Sequence, residues 1–480
     1  LNSMGLKTVV PVVRFLTRHR KAVGLAWQVW WTGRAKPAVI RARQQTRLSD
    51  LIEFARAHSP LYGKLYGHLP SPVNDIRHLP PVTKKELMAN FDEWVTDREV
   101  TRSGVEAFIA DKTLVGDFYL GRYAVWTSSG VTGRHGIFVH DREGLTVYAT
   151  LTMVRGMMTW MKWGDGVACL RGGERGATVI KTGGHFVGAA VRGLYRKHYP
   201  RLSRNSRTFS VMTPLAELVK ELNALQPVIL VSYPTVVTLL GDEQRSGRLK
   251  IKPILVATIA EWLGREARDE IAVVFNCPIR DTYAASEFMG IAFECKERQL
   301  HVNSDWVILE PVDERYEPVP PGEVSNTALV TNLANRVQPI IRYDLGDSIT
   351  LSPDPCPCGI TLPVVRVEGR RDEILSFRAP DGANVKLPPR ALANAVEGAG
   401  GVKSFQVVQT APDVLTVRLM IGSGSNSSGV WERVSARLHD YLSAQGLPSV
   451  RVERAKEPPG RDQVSGKFLN VWSELKKGKG

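Results

Sequence analysis

Acidic residues are in short supply. The 480-residue chain sets 48 Asp and Glu against 63 Lys and Arg, a formal net charge of +15. A surplus of that sign suits polyanionic ligands: nucleotides, coenzyme A, nucleic acid or an anionic membrane surface. It does not choose among them. No recognised nucleic-acid module or aromatic-interleaved basic patch accompanies the charge, so nucleic acid is not an expected partner. Cysteine is scarce too. The five present are an odd number, and Cys356 and Cys358 are separated by a single proline, too close for an ordinary disulfide. A reduced, cytoplasmic compartment is therefore expected. No run of 18 uncharged apolar residues occurs, so no membrane-spanning helix is expected. The most apolar candidate, Val147 to Trp160, is interrupted by Arg155 and reads as a buried helix. No secretory leader, internal repeat or long low-complexity tract is evident. Only Gly422 to Gly429 is Ser/Gly-rich, and it reads as a loop.

What is present divides into an extension, a large domain and a small one. Residues 1–45 are basic and carry Trp27, Trp30 and Trp31. The plain reading is a solvated helix resting one face on the body; the sharper one is a membrane-surface helix or an interaction arm. The spacing Leu48, Leu51, Ile52, Ala55 is helical and ends at His58-Ser59-Pro60. Thr83 and Glu86 form a capping box. Thr213-Pro214 reads as a cap followed by proline at the first helical position. Val228 to Val231, Ile254 to Ala257 and Ala272 to Phe275 read as three strands separated by helices, which argues for a mostly parallel α/β sheet. Beyond Arg370 the pattern becomes a small α+β unit with strands at Ile374 to Phe377, Phe405 to Val408, Leu415 to Leu419 and Val450 to Val452. The expected boundaries are 46–368 for the large domain, 369–372 for a junction and 373–480 for the small one.

Several stretches carry chemistry. Thr127-Ser128-Ser129-Gly130-Val131-Thr132-Gly133-Arg134-His135 follows a short apolar run. Two glycines among hydroxyls make a tight loop able to turn N–H and O–H groups toward an anion. Its spacing is not that of a Walker loop. In Asp281-Thr282-Tyr283-Ala284-Ala285-Ser286-Glu287, the tyrosine can stack on a flat base and Glu287 can hold Mg²⁺ beside phosphate oxygens. Asp347, after Gly346, can accept hydrogen bonds from both hydroxyls of a ribose. Gly369-Arg370-Arg371-Asp372 sits at the junction, and Gly466-Lys467 lies near the C-terminus.

In this order these stretches resemble the adenylate-forming superfamily, and within it the phenylacetate–CoA ligase-like branch. The resemblance spans nearly the whole chain after about residue 45. It implies a large adenylate-forming-type domain with mixed or parallel sheets and a small mobile α+β lid turning about Asp372. Its phosphate loop matches Ser129-Gly130-Val131-Thr132-Gly133, with Val131 in place of a hydroxyl residue and His135 in place of proline. Its Tyr-Gly-x-Thr/Ser-Glu motif matches Tyr283 to Glu287, with Ala284 for glycine, and its adenine-side Gly-Glu-Pro becomes Ala260-Glu261-Trp262. The resemblance implies an ATP and AMP site drawing on Thr127, Ser128, Ser129, Gly130, Gly133, Ala260, Glu261, Asp281, Tyr283, Ala284, Ser286, Asp347 and Arg370. Thr132, Glu287 and Lys467 would be catalytic, Lys467 bridging the substrate carboxylate and the α-phosphate, and His185 would border the acyl pocket unless it is purely structural. The implied substrates are a carboxylic acid, ATP and coenzyme A, with carrier-protein pantetheine or an amine as other acceptors; a homodimer is left open. The contrasting expectation is a nucleotide-binding protein that kept the fold and lost catalysis.

A separate set is Cys295, His301, Cys356 and Cys358. Three thiols and an imidazole suit tetrahedral Zn²⁺. With every position filled by protein, the ion would be structural, stapling two loops. Cys169 and Cys277 read as core thiols.

Overall fold

The computed structural model describes residues 20–73, 75–128, 136–159, 175–261, 263–370, 374–387, 389–422, 426–460 and 468–476. Helix α1 (Arg20–Thr32) turns at Gly33–Ala35 into α2 (Pro37–His58). Proline opens α2 at its first turn, and Ser59 both ends it and caps the next helix through the Tyr62 amide. The expected capping box is formed: Thr83 accepts from the Glu86 amide and the Glu86 carboxylate from that of Thr83.

Strands β1 (Ala124–Thr127) and β2 (Ile137–His140) form an antiparallel hairpin. Then β3 (Gly176–Ile180), β4 (Ser206–Ser210), β5 (Ile229–Ser232), β6 (Leu255–Ile259) and β7 (Ile279–Tyr283) run parallel, joined by helices. Antiparallel β8 (Ala292–Glu294) and β9 (Leu300–Val302) extend the sheet. β10 (Val307–Val312), β11 (Thr327–Asn332) and β12 (Tyr343–Asp344) make a second sheet. β13 (Asp347–Leu351) and β14 (Val364–Arg370) return to the first, giving nine strands in the order β13-β14-β9-β8-β7-β6-β5-β3-β4. The sheet is thus mixed, its parallel half lying between residues 176 and 283.

Two sequence readings are corrected. Ala272 to Phe275 is not a strand but the last turn of the helix Arg265–Phe275. Ile271 and Phe275 are buried while Val273 is 79% exposed. A strand would put all three on one face; a helix spaces the first and last four apart. The strand comes after the Asn276 turn, so Asp281 lies within β7 rather than beyond it. The helix expected to be capped by Thr213 begins at Leu215, with Pro214 in the cap position and no side-chain cap.

After β14 comes a unit with its own core. It holds the hairpin β15 (Leu375–Arg378) and β16 (Asn384–Leu387), then β17 (Val402–Ala411), β18 (Val414–Ile421), β19 (Arg451–Arg454) and β20 (Val471–Ser473). The last four pair in the order β19-β18-β17-β20 under the helices Pro389–Glu397 and Ser427–Ala444. Leu392, Val396, Val407, Val417, Val434 and Leu438 pack in this core, separate from that of the large sheet.

The apolar run around Arg155 is helical, Arg142–Leu151 continuing as a π-helical turn, Thr152–Met157. Arg155 is buried and makes a bidentate pair with buried Asp305 (Nη1–Oδ1 2.7 Å, Nη2–Oδ2 3.0 Å). It also donates to the Val29 carbonyl at 2.9 Å, fastening α1 to the body. Removing one partner of such a pair strands the other charge. Asp305→Ala is expected to cost about 3–5 kcal/mol of unfolding free energy, measured by denaturant titration.

Candidate active site

The parallel strands end in a cleft of about 2240 Å³ lined from both units, by Ala260, Glu261, Tyr283, Asp347 and Arg370 on one side and Phe468 on the other. Ligands bind beyond the carboxyl ends of strands in open α/β sheets, and Ala260 and Tyr283 stand at those ends of β6 and β7. The centre is Asp347, the first residue of β13. The Tyr283 hydroxyl donates to its Oδ2 at 2.7 Å and Arg370 Nη1 to its Oδ1 at 3.1 Å. Burial, then the facing Asp347 carboxylate, raises the Tyr283 phenol well above its usual range, so it stays a donor.

Glu287 is buried and bonded to Tyr343; burial raises its pKa, and Arg370 opposes that shift. Its loop is held from beneath. The Ser286 carbonyl accepts from Trp126 Nε1 at 2.9 Å and meets His140 Nε2 at 3.1 Å. The Asn332 amide donates to the Glu287 carbonyl at 2.8 Å and to the Tyr148 hydroxyl at 2.7 Å. Burial pushes His140 down to about 3, so the ring is neutral. A carbonyl only accepts; the His140 proton therefore sits on Nε2, and Nδ1 accepts from Tyr148 at 3.1 Å. Through Trp126 and His140 the hairpin β1–β2 abuts the loop carrying Glu287.

Of the loop joining β1 to β2, Thr127 and Ser128 are described; Ser129, Gly130, Val131, Thr132, Gly133 and His135 lie outside the described residues. Thr127 donates its amide to the His185 carbonyl at 2.8 Å, and Ser128 and Gly136 bond reciprocally at 2.9 Å, closing the loop's neck. Lys84 reaches that neck, Nζ to Ser128 Oγ 3.2 Å. The sequence reading missed Lys84: nothing local marks a lysine 44 residues away as a neighbour of this loop. His185 is buried, its Nε2 is 3.1 Å from the Asp111 carbonyl and its ring tilts against Phe108. That is a structural setting for the imidazole.

Ala260 adopts φ +65°, a conformation that favours glycine, which accounts for glycine at the matching position of the motif it resembles. Glu261 bridges the two units: Oε2 accepts from Thr235 Oγ1 at 2.6 Å and Oε1 from the Phe468 amide at 3.2 Å. Lys467 and Asp372 lie outside the described residues, as do Gly466 and Trp262; Phe468 is the chain neighbour of Lys467. Ala284 also lines the cleft. So does Asp281, whose carboxyl accepts from Thr258 Oγ1 at 3.1 Å. Burial, then the Glu294 charge, pushes Asp281 up to about 6.

Away from the cleft, Cys295, His301, Cys356 and Cys358 place their ligand atoms all within 4.8 Å of one another. Cys295 and Cys356 sulfurs are 3.6 Å apart, and Cys358 Sγ is 3.3 Å from His301 Nε2. A tetrahedron with metal–sulfur bonds of about 2.3 Å has edges of about 3.8 Å, against about 2.05 Å for a disulfide. His301 Nδ1 faces the Leu362 carbonyl at 2.9 Å, so it carries the proton and Nε2 offers a lone pair to the cluster. Gly359, at φ +86°, lets the Cys-Pro-Cys loop turn back. Cys277 is a buried core thiol, as expected, pushed up to about 12 by burial; Cys169 lies outside the described residues.

No family model matches the chain. Among curated proteins it is 26% identical to a phenylacetate–coenzyme A ligase of Thermus thermophilus over 375 residues, 72% of this chain and 73% of that protein. The chain is a homologue of phenylacetate–coenzyme A ligase with the adenylate-forming fold. It is also 27% identical to protein CapK of Staphylococcus aureus over 228 residues, a match spanning 46% of this chain and about half (48%) of CapK. Among solved structures, a 2-hydroxyisobutyryl-CoA ligase in the postadenylation state, in complex with R3-HIB-AMP, superposes with a TM-score of 0.64 at 19% identity, covering 90% of this chain and 89% of that one. A benzoate CoA ligase from Burkholderia xenovorans gives 0.51 at 16% identity over 72% of this chain and 67% of its own. At these identities the superpositions speak to the fold: mixed sheets in a large domain and a smaller C-terminal one.

The Asp281 carboxyl yields a pH prediction. Its folded pKa lies above the ordinary 3.8. The stability it contributes is fully present below pH 3.8 and is lost as pH rises through about 6. Asp281→Asn, which cannot ionise, should match the parent in Tm below that window and exceed it above, as read by thermal unfolding across pH.

Proposed function

We propose that this protein activates a carboxylic acid with ATP and transfers the acyl group to a thiol, most simply that of coenzyme A. One observation carries the reading: Tyr283, Asp347 and Arg370, from three strands, converge on one carboxylate at the cleft's centre. A carboxylate accepts about four hydrogen bonds; with Tyr283 and Arg370 making two, Asp347 keeps capacity for two ribose hydroxyls. The Tyr283 ring would stack on adenine, beside Ala260 and Ala284. The loop from Thr127 through Thr132 and Gly133 would hold the outer phosphates, with Lys84 at its neck.

The acid's oxygen attacks the α-phosphorus, the bond to the β-phosphate oxygen breaks, and pyrophosphate leaves with its electron pair. A thiolate then attacks the acyl carbon and AMP departs. Both steps gather negative charge, so catalysis amounts to alignment and fixed positive charge. Lys467, next in sequence to the Phe468 whose amide meets Glu261, would place an ammonium between the carboxylate and the α-phosphate. Arg370 would face the nucleotide while orienting Asp347. Glu287 suits Mg²⁺: a buried carboxyl whose pKa burial has raised regains full charge beside a cation. When bound, the ion would offset phosphate charge. Segment 369–372, with Asp372, would act as a hinge between residues 46–368 and 373–480, letting the small unit exchange adenylation for thiol transfer.

The Cys295, His301, Cys356, Cys358 set would hold a structural Zn²⁺, pinning the loops around β9 to the one between β13 and β14. Thiols kept as metal ligands accord with a reducing compartment such as the cytoplasm.

Acid-dependent ATP–pyrophosphate exchange over a panel of aromatic and aliphatic acids tests the first step. Lys467→Ala is expected to lower exchange by about 10²-fold or more, and Asp347→Asn to raise the KM for ATP. Exchange untouched in Lys467→Ala would remove that lysine from adenylation. Offering the adenylate coenzyme A, carrier pantetheine and an amine in turn identifies the acceptor. For the metal, elemental analysis should find a single zinc per chain, lost together with several degrees of Tm in Cys356→Ser. Folded, metal-free protein of undiminished Tm would refute the site.

A further inference from the structure

Helix α1 is apolar on two opposite sides. Leu25, Ala26 and Val29 face the body, Leu25 and Ala26 packing against the large core and Val29 lying within it. Positions 23, 27, 30 and 31 follow the i, i+4, i+7, i+8 spacing of one helical stripe, and that stripe faces outward: Trp27 is 65% exposed, Trp30 42%, Trp31 41% and Val23 37%. Trp27 and Trp30 stack with ring centroids 5.3 Å apart. Met153 and Met158 are also exposed, on and just after the π-helical turn against which α1 packs.

The charges of the segment that carries the stripe are of one sign. The first 49 residues hold ten Lys and Arg and no Asp or Glu. Arg34 lies over the Trp30 ring at 5.0 Å and Arg43 over the Trp31 ring at 5.3 Å. Lys36 and Arg41 are exposed nearby. Three outward tryptophans fringed by cations match the two terms of interfacial binding, aromatic insertion at headgroup depth and attraction to anionic lipid. A soluble acidic partner would satisfy the cations but not account for three exposed indoles on one helical stripe.

We propose that α1 docks the protein on an anionic phospholipid surface, with Trp27, Trp30 and Trp31 in the interface and the flanking arginines and lysines on headgroup phosphates. This inference does not rest on the adenylation reading. It would bring the enzyme to a surface without any membrane-spanning helix; none of the described helices is long and apolar enough to cross one.

Full-length protein is sedimented with phosphatidylcholine vesicles with and without phosphatidylglycerol, at low and raised salt. Binding to the anionic vesicles is expected, weakened by salt. It should fall about tenfold or more in Trp27→Ser/Trp30→Ser/Trp31→Ser and, with the indoles intact, in Lys36→Glu/Arg41→Glu. Circular dichroism and Tm check that both variants fold, and acid-dependent exchange in free solution is expected to be unchanged, which separates this proposal from the catalytic one. No binding of the native chain to either vesicle would overturn it, as would binding indifferent to the tryptophans. A native dimer that the triple substitution converts to monomer, without vesicle binding, would assign the stripe to a second copy and equally overturn it.

Discussion

The arrangement of the cleft turns on the carboxylate of Asp347. Its partners come from β7, 64 residues earlier, and from the end of β14, 23 residues later. The Arg370 contact follows from the direct pairing of β13 with β14, but the Tyr283 contact forms only when the sheet has closed in its mixed order, so the complete site is a product of the tertiary fold. The backbone before it is equally constrained. Gly346 sits at φ +75°, and a Cβ there would lie 3.1 Å from an Arg370 guanidinium nitrogen. A side chain at 346 would be strained in the backbone and would crowd the cation that orients Asp347. The backbone of this corner therefore favours glycine immediately before Asp347.

The cleft also poses an electrostatic problem. Asp281, Glu261, Glu294 and Asp347 line it, and Glu287 lies close behind. Of these, the Glu294 charge adds to burial in raising the Asp281 pKa, with Arg268 opposing it. A triphosphate would add more charge of the same sign. The excess of basic residues elsewhere cannot cure this, since charges beyond roughly 10 Å are screened by salt. Local cations must do so: Arg370 at the centre, Arg268 paired with Glu294, Arg245, Arg298 and Arg366 on the lining, and in our proposal Lys84, Lys467 and a divalent ion. The acid-rich cleft of a basic protein thus makes the reading depend on cations delivered to it, one of them on the C-terminal unit.

What was legible in the sequence follows from whether chemistry or packing set the pattern. Tyr283 with Glu287, Gly346 with Asp347, and Gly369 with Arg370 are short-range combinations, and they stood out before any coordinates. The Cys/His set stood out because cysteine is rare and its spacing tight. Lys84 did not, because only folding brings it to Ser128. The supports beneath Glu287, His140 and Asn332, look like ordinary polar residues until burial gives them fixed roles. Ala272 to Phe275 was misread because four apolar residues in a row suit a strand or a buried helix end alike, and only the exposure of Val273 separates the two.

The candidate metal cluster and the N-terminal helix are not independent. Thr361, three residues beyond Cys358, donates its hydroxyl to the Ala35 carbonyl at 2.6 Å and its amide to that of Gly33 at 3.2 Å. Ala35, Ile40 and Leu362 pack together beneath this contact. Farther along α1, Arg155 grips the Val29 carbonyl. The helix is thus fixed at two points, by the buried Arg155–Asp305 pair and by the loop that carries two of the cluster's thiols. A helix fixed at two points cannot roll to bury its outer tryptophans without breaking a charge pair that is costly to break. The body thereby holds the indoles outward, and loss of the cluster would loosen the turn that helps set their angle to the sheet.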